Sequence, residues 1–214
     1  MAKRAASAKA KKAAAAKPES GESDAKQHVI DVTMRLAAER GWRELALADI
    51  ATAADMSLAE LYALYRSKQA ILAAFLRDVD MAVLEETEPT EGPAKDRLFD
   101  VLMRRLDKLE PYKPALQRIA EDTARDPLQL VCGVARLDRS MAAMLEAAGI
   151  SAGGLTGILR IKALEAIYLS ALRTWFRDDS PDKSRTMAAL DRGLRRAERL
   201  VGGARRWSRR SAAA

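Results

Sequence analysis

Residues 41–72 read GWRELALADIATAADMSLAELYALYRSKQAIL, and this stretch decides the fold. Gly41 can take a positive φ and so end a preceding helix. Residues 48–54 predict a short helix, because apolar side chains recur four positions apart on one face. The next two residues, Asp55 and Met56, predict a tight turn.

A second short helix is predicted after the turn. Ser57 is expected to cap this helix, and Glu60, three residues later, is placed to complete a capping box. Leu61, Leu64 and Tyr65 are expected to pack inward. The residues expected to face outward are Leu58, Ala59, Tyr62 and Arg66. Two short helices of this kind, supported by a preceding helix, form the geometry that lays the second helix in a DNA major groove.

This stretch resembles the TetR family of bacterial transcriptional regulators. The matching residues are Asp49-Ile50-Ala51, Ala54-Asp55-Met56-Ser57, Leu61-Tyr62 and Tyr65-Arg66-Ser67-Lys68. The resemblance implies an all-α, TetR-like fold of about nine helices, with an N-terminal helix-turn-helix domain and a helical ligand-binding and dimerisation domain. It also implies that Ser57, Tyr62 and Lys68 contact the phosphate backbone, and such contacts position a protein on DNA without reading its sequence.

The candidate DNA-binding residues are Arg43, Ser57, Leu58, Ala59, Tyr62, Arg66 and Lys68. Three positions depart from the family pattern. Ala46 stands where a Thr or Ser is usual, Ala59 replaces a common glycine, and Glu60 replaces a small hydroxyl residue. A carboxylate beside phosphates lowers affinity, unless the Glu60 side chain turns back to the Ser57 amide. The sequence therefore leaves open whether DNA binding is retained.

The basic character of the chain is concentrated at its two ends. The formal net charge is +7, with +6 in residues 1–18 and +6 in residues 195–214. The residues between these segments carry −5, and residues 26–88 alone carry −4. A high pI usually suggests nucleic-acid binding. Here it indicates only basic tails. These tails are either arms that bind DNA or anionic lipid, or segments that only keep the protein soluble.

The composition favours a helical protein of the cytoplasm. The 214 residues are 49% hydrophobic and 31% charged, and they are rich in the strong helix formers Ala and Leu. The single cysteine, Cys132, excludes an internal disulfide and suits a reducing compartment. One histidine, no Gly-rich phosphate loop and no metal-spaced cluster argue against an enzyme, a metal site or a cofactor. No apolar run approaches the roughly 20 residues of a transmembrane helix.

Four segments are predicted along the chain. They are a disordered basic tail over 1–22, a helix-turn-helix domain over 23–88, a ligand-binding and dimerisation domain over 94–201, and a basic C-terminal tail over 202–214. Residues 87–93, with two prolines and a glycine, form the linker between the two domains. Ser180 is expected to be the N-cap of the last helix, with Pro181 at its first position. The Asp178-Asp179 pair is interpreted as solvated charge.

The last two helices share an apolar pattern. Apolar residues recur at offsets 0, 3, 7, 10 and 14 from Ile161 and again from Met187. This pattern fits either a four-helix dimer interface or the core of one chain. We favour the dimer, because the other faces also carry Leu159, Ile167 and Leu172. The predicted interface residues are Ile161, Leu164, Tyr168, Trp175, Met187, Leu190 and Leu194.

An apolar ligand pocket is expected between the helices of the second domain. The candidate residues are Met103, Cys132, Met141, Met144 and Trp175, since Met adapts to irregular ligands. Ordinary core packing is the alternative for each of them. Residues 94–200 also resemble the TetR-fold lipid-binding accessory family of ubiquinone biosynthesis, through Leu109–Tyr112 and Asp178–Asp182.

The sequence thus predicts a homodimeric transcriptional regulator, a repressor that binds double-stranded operator DNA and responds to a hydrophobic small molecule. The alternative is a DNA-silent TetR-fold protein that carries a lipid for ubiquinone biosynthesis, held near an anionic membrane by its tails. A third possibility is a protein that coats DNA through its basic tails.

Overall fold

A computed structural model describes the backbone of residues 2–88, 91–125 and 127–211, and the side chains of residues 21–88, 91–125, 133 and 135–199. These backbone segments form helices and no strand, which confirms the predicted all-α class. The helices are α1 Ala2–Arg40, α2 Leu47–Ala53, α3 Leu58–Leu64, α4 Lys68–Glu85, α5 Ala94–Leu109, α6 Lys113–Ala124, α7 Pro127–Ala147, α8 Gly154–Trp175 and α9 Ser184–Ser211. A 3-10 turn, Glu110–Tyr112, precedes α6.

The first compact unit comprises Met1–Phe75 and Pro114–Asp122. Its core forms because α1, α2 and α3 each bury an apolar face. Ile30 on α1, Ile50 on α2 and Leu61 on α3 are at most 1% exposed. Complete burial of such a side chain stabilises the fold by roughly 1.5–3 kcal/mol. The buried apolar faces of these three helices therefore stabilise the helix-turn-helix region.

The second unit comprises Leu76–Lys113 and Thr123–Ala214. Leucines of α5 and methionines of α7 fill its core together with aromatic side chains of α8. Helices α8 and α9 approach closely where Gly193 lies against Ile167. A Cβ atom on residue 193 would stand 2.6 Å from Ile167 Cγ2, which is closer than real Cβ atoms come, so a larger residue here would force the Ile167 side chain to shift.

The division between the units falls within α4, between Phe75 and Leu76, and the predicted domain boundary was the 87–93 linker. Asp80, on the second half of α4, accepts a hydrogen bond from the Arg105 side chain of α5 at 2.8 Å. This contact ties the second half of α4 to the second unit. Proline and glycine end a helix, but side-chain contacts decide which unit a helix joins.

Both terminal helices extend further than the sequence predicted. Helix α1 includes residues 2–22, which were expected to be disordered, and α9 continues through Gly202 and Gly203 to Ser211. Ala, Lys and Arg have high helix propensity, and extending an existing helix avoids the cost of nucleation. The side chains of residues 1–20 and 200–214, which include most of the basic charge of the tails, lie outside the described part.

The start of α9 also differs from the prediction. The helix begins at Ser184, and Ser180 is not its N-cap. Asp178, only 2% exposed, instead holds this turn, because its carboxylate accepts hydrogen bonds from the hydroxyl and amide of Ser180 and from the amide (2.8 Å) and hydroxyl (2.7 Å) of Thr186. The hydrogen bonds from Ser180 and Thr186 keep the pKa of Asp178 far below its ordinary value. The interpretation of Asp178 as solvated charge was wrong.

The predicted dimer seam lies inside the single chain. Leu164, Tyr168, Trp175, Leu190 and Leu194 are at most 5% exposed. They pack within the second unit, while Ile161 and Met187 are partly exposed. The 3-4-3-4 spacing identifies an apolar face but does not say whether that face packs within or between chains. For these five residues, burial favours packing in the core of one chain, which is the alternative that the sequence left open; for Ile161 and Met187 the dimer interface stays a prediction.

A different face of α8 is exposed and apolar. The large apolar side chains on it are Leu155 (83% exposed), Ile158, Leu159 (71% exposed) and Leu169. Ile158 and Leu159 follow Leu155 by three and four residues, and Leu169 follows Leu159 by ten. These spacings place the four side chains along one side of the helix. We call these four residues the α8 stripe. Among the described helices, none has a segment both long and apolar enough to cross a bilayer.

Candidate nucleic-acid interface

Helix α2 begins with half of a capping box. The amide of Ala46 donates to Asp49 Oδ2 at 2.9 Å, so the carboxylate three residues into the helix closes its side of the motif. Ala46 has no side-chain oxygen, so its side chain accepts no hydrogen bond from an amide of the first helical turn. The departure from the family pattern at this position therefore leaves one helix amide without its usual partner.

The turn between α2 and α3 is as tight as predicted. Asp55 adopts a left-handed backbone conformation with φ +52°, which Asp tolerates better than most residues. The amide of Met56 donates to the carbonyl of Ala51 at 3.1 Å. This turn sets the direction in which α3 leaves α2.

Helix α3 has the complete capping box that the sequence predicted. The amide of Glu60 donates to Ser57 Oγ at 3.2 Å, and Glu60 Oε2 accepts from the amide of Ser57 at 2.8 Å and from its hydroxyl at 2.7 Å. These hydrogen bonds from Ser57 lower the pKa of Glu60. The carboxylate is turned back toward Ser57, which was the alternative under which Glu60 least disturbs a phosphate. The same contact engages the single hydroxyl proton of Ser57.

The outward face of α3 is exposed as expected. Leu58 and Tyr62 are 50% and 54% exposed, while Leu61 on the opposite side is fully buried. Ala59 on the same face is exposed, and so are Arg43 and Arg66, which lie before and after the helix pair. Six of the seven candidate DNA-binding residues therefore have exposed side chains; the exception is Lys68.

Lys68, at the first position of α4, is turned into the protein. Its Nζ donates to three carbonyl oxygens, those of Trp42 at 2.6 Å, Arg43 at 3.1 Å and Leu45 at 2.9 Å. It also lies 5.2 Å from the centre of the Trp42 ring. Burial lowers the pKa of Lys68, and the negative charge of Asp122 opposes that shift. All three donors of the ammonium group are thus used within the protein.

The segment that Lys68 binds is the corner between α1 and α2, residues 42–45. Gly41, at φ +89°, ends α1 by donating its amide to the carbonyl of Ala37 at 3.1 Å. The amides of Trp42 and Arg43 both donate to Asp122 Oδ2 on α6, each at 2.9 Å. The sequence reasoning missed Asp122, because nothing local marks a carboxylate that lies about 80 positions away as the partner of this corner.

The predicted pocket residues are mostly core residues. Met141, Met144 and Trp175 are fully buried in the second unit, Met103 is partly exposed, and the Cys132 side chain lies outside the described part. A surface cleft of about 400 Å³ in this unit has a different lining, formed by Leu84, Thr87, Glu88, Arg97 and Glu146–Gly149. The pocket therefore stays a prediction. Among the described side chains, no group of three His, Cys, Asp or Glu residues is arranged to hold a metal ion.

Comparison with protein families matches residues 29–75 to the model of bacterial regulatory proteins of the tetR family. Residues 29–75 form a TetR-type domain. This range contains α2, α3, the corner and Lys68, and the match therefore covers the whole candidate interface. A comparison with curated proteins gives no significant match.

Solved structures of TetR regulators have the same fold over most of the chain. A TetR transcriptional regulator from Nitrosomonas europaea is 26% identical, with a TM-score of 0.67 over 81% of this chain and 97% of that chain. A TetR transcriptional regulator from Rhodococcus sp. RHA1 is 17% identical, with a TM-score of 0.60 over 81% and 95% of the two chains. The fold of this protein is TetR-like beyond the N-terminal domain as well.

Proposed function

We propose that this TetR-type protein is a transcriptional repressor that binds operator DNA as a homodimer and is released by a hydrophobic small molecule. In this function α3 lies in the major groove, and two copies of α3 read two successive half-sites. An effector that binds the second unit shifts the dimer away from the spacing that fits both grooves.

The exposed face of α3 is the observation that supports this proposal most directly. Leu58 and Ala59 offer apolar contacts to base edges, such as a thymine methyl group. Tyr62 and Arg66 offer donors to phosphate oxygens. A half-exposed leucine and a half-exposed tyrosine on one short helix are available for contact with a partner.

The α8 stripe supports the dimer. Leu155 and Leu159 are the most exposed large apolar side chains of the described residues, and they lie one helical turn apart. A self-complementary contact between two copies of one helix is the commonest way to close a dimer. We therefore assign the dimer interface to this stripe, in place of the seam that the sequence predicted.

The test is selection of bound duplexes from a pool of random-sequence DNA by the full-length protein, followed by binding measurements on the selected duplex and on an unselected one. A protein in which the Lys and Arg residues of 1–18 and 205–210 are replaced by Gln is measured in parallel. Retained preference for the selected duplex supports reading by α3. Preference that disappears with the basic residues, together with binding that falls equally on both duplexes as salt rises, would contradict it.

Point variants then locate the contact. Tyr62→Ala and Arg66→Ala are expected to weaken binding to the selected duplex, because each removes a phosphate donor. Met81→Ala is the matched control, since Met81 is also half-exposed but lies outside the TetR-type domain. Equal losses in all three variants would argue against α3 as the DNA-reading helix.

A further inference from the structure

We propose that Lys68 and Asp122 are positioning residues that hold the 42–45 corner from its two sides, and that Lys68 does not bind phosphate. The role of this pair in DNA reading depends on the DNA binding proposed above. We call the hydrogen bonds of Lys68 and Asp122 to the corner backbone the clamp. The clamp is a property of the free protein and can be tested without DNA.

The carbonyl side of the corner is held by Lys68. One ammonium group binds the carbonyl oxygens of Trp42, Arg43 and Leu45, all within 3.1 Å. Three oxygens can converge on one nitrogen only if the corner folds around it. The Lys68 side chain thus fixes the path of the backbone between α1 and α2.

The amide side of the same corner is held by Asp122. Its Oδ2 atom accepts both the Trp42 and the Arg43 amides at 2.9 Å. The corner peptides therefore have a cation on their oxygen atoms and an anion on their hydrogen atoms. Charged partners make hydrogen bonds stronger than neutral ones do, and the negative charge of Asp122 also favours the protonated form of Lys68.

A phosphate role for Lys68 conflicts with this geometry. An ammonium group has three donors, and each already has an oxygen acceptor. To reach a phosphate, Lys68 would have to leave the carbonyl groups that it binds and the face of the Trp42 ring. Arg66 lies two positions earlier, and its exposed side chain does not take part in these hydrogen bonds to the corner.

The corner acts on DNA reading through α2. Trp42 is 1% exposed and Leu45 3%, so the corner is anchored in the core at both ends. Helix α2 starts two residues after Leu45 and packs on α3. A looser corner would leave the side chains of α3 unchanged but let their orientation vary, which weakens a contact that depends on orientation.

The first part of the experiment measures amide hydrogen exchange by NMR in the free protein. Asp122→Ala and Lys68→Met are each expected to speed exchange at Trp42 and Arg43 by roughly tenfold or more, as local opening becomes easier. Arg66→Met is the matched control and should leave these amides unchanged. Circular dichroism checks that each variant is folded, and Asp122→Asn, which keeps the shape of the side chain, serves if the alanine variant does not fold.

The second part measures how affinity for the selected duplex depends on salt. Removing a phosphate contact lowers the slope of log K against log salt by about 0.9. We expect this decrease for Arg66→Met and no decrease for Lys68→Met, which should lose affinity at every salt concentration. Lys68→Arg keeps the charge but cannot bring three donors to one point, so it should not restore the wild-type affinity.

The outcomes separate the two proposals. Unchanged exchange in Lys68→Met, with a reduced salt slope and full rescue by Lys68→Arg, would overturn the clamp and make Lys68 a phosphate contact. If the wild-type protein selects no duplex, the proposed function fails. The exchange measurements still decide whether the clamp exists.

Discussion

Arg105 Nε donates to Asp80 Oδ1 at 2.8 Å within the second unit, where the Arg105 side chain is only 3% exposed. The guanidinium also contacts the hydroxyls of Tyr168 and Ser140, and the Ser140 hydroxyl donates to the other Asp80 oxygen. Helices α4, α5, α7 and α8 thus each contribute one side chain to a buried hydrogen-bond network around the Arg105 guanidinium. A buried ion pair is costly to break, because removing one partner leaves an uncompensated charge.

Asp80→Asn is therefore expected to lower the free energy of unfolding by about 3–5 kcal/mol. Urea denaturation followed by circular dichroism measures this loss. Asp78→Asn on the same helix is the control, since its half-exposed carboxylate pairs, among the described side chains, only with Arg77 and should change stability little. Replacing the pair together, as Asp80→Leu with Arg105→Met, should recover much of the loss. If Asp80→Asn and Asp78→Asn were equally stable, the Asp80–Arg105 ion pair would not be needed for the stability of the fold.

Completing the capping box of α2 should stabilise the first unit. Ala46→Ser supplies the oxygen that the helix start lacks, while Asp49 already accepts the amide of residue 46. The expected gain is about 1 kcal/mol, measured as a shift in the urea midpoint. Ala48→Ser, at an exposed position inside α2, is the control and should give no gain, because Ser is a poorer helix former than Ala. A gain of the same size at both positions would mean that capping is not the cause.

Asp178 should make stability depend on pH in the acid range. Because its folded-state pKa lies below the unfolded value of about 3.9, its contribution is full above that value and is lost as the pH falls through the folded-state pKa. Asp178→Ala should cost about 2–4 kcal/mol at pH 7, since it leaves buried donors unpaired.

The difference between the wild type and Asp178→Ala should shrink when urea midpoints are measured at pH 3 and then at pH 2. Asp179→Ala is the matched control, because Asp179 is exposed. A difference that stays constant from pH 7 to pH 2 would show that the carboxylate charge of Asp178 does not stabilise the turn.

The α8 stripe predicts the effect of a charge on association. Leu159→Glu should convert the proposed dimer to a monomer in sedimentation velocity, because it places carboxylates opposite an apolar surface. Met81→Glu introduces the same charge at another half-exposed apolar residue and should leave the dimer intact. A wild-type protein that sediments as a monomer at the concentrations used would refute the interface.

Local patterns predicted the local structure well. The apolar spacing of α2, the turn at Asp55 and the capping box between Ser57 and Glu60 depend on residues at most a few positions apart, and the structure has each of them. The sequence pattern of α8 and α9 also identified real apolar faces. It could not distinguish packing within the chain from packing between chains, because both require the same spacing.

The contacts that the sequence did not predict join residues that are distant in sequence. Lys68 matches a family phosphate contact by position, yet its partners are the carbonyl groups of residues 23 to 26 positions earlier. Asp122 lies 80 positions from Trp42. Asp178 looked like solvated charge, because the hydrogen bond from Thr186, eight positions later, exists only once the turn is folded. Spacing rules do not reach such contacts.

The corner between α1 and α2 is held through its backbone, since Lys68 binds carbonyl groups and Asp122 binds amides. The exposed side chains of Arg43 and Glu44 take no part in these hydrogen bonds. Their identity can therefore change during evolution, or in a designed library, while the path of the main chain is kept. This corner offers two positions at which the charge beside α2 and α3 can be varied while the orientation of these helices is kept.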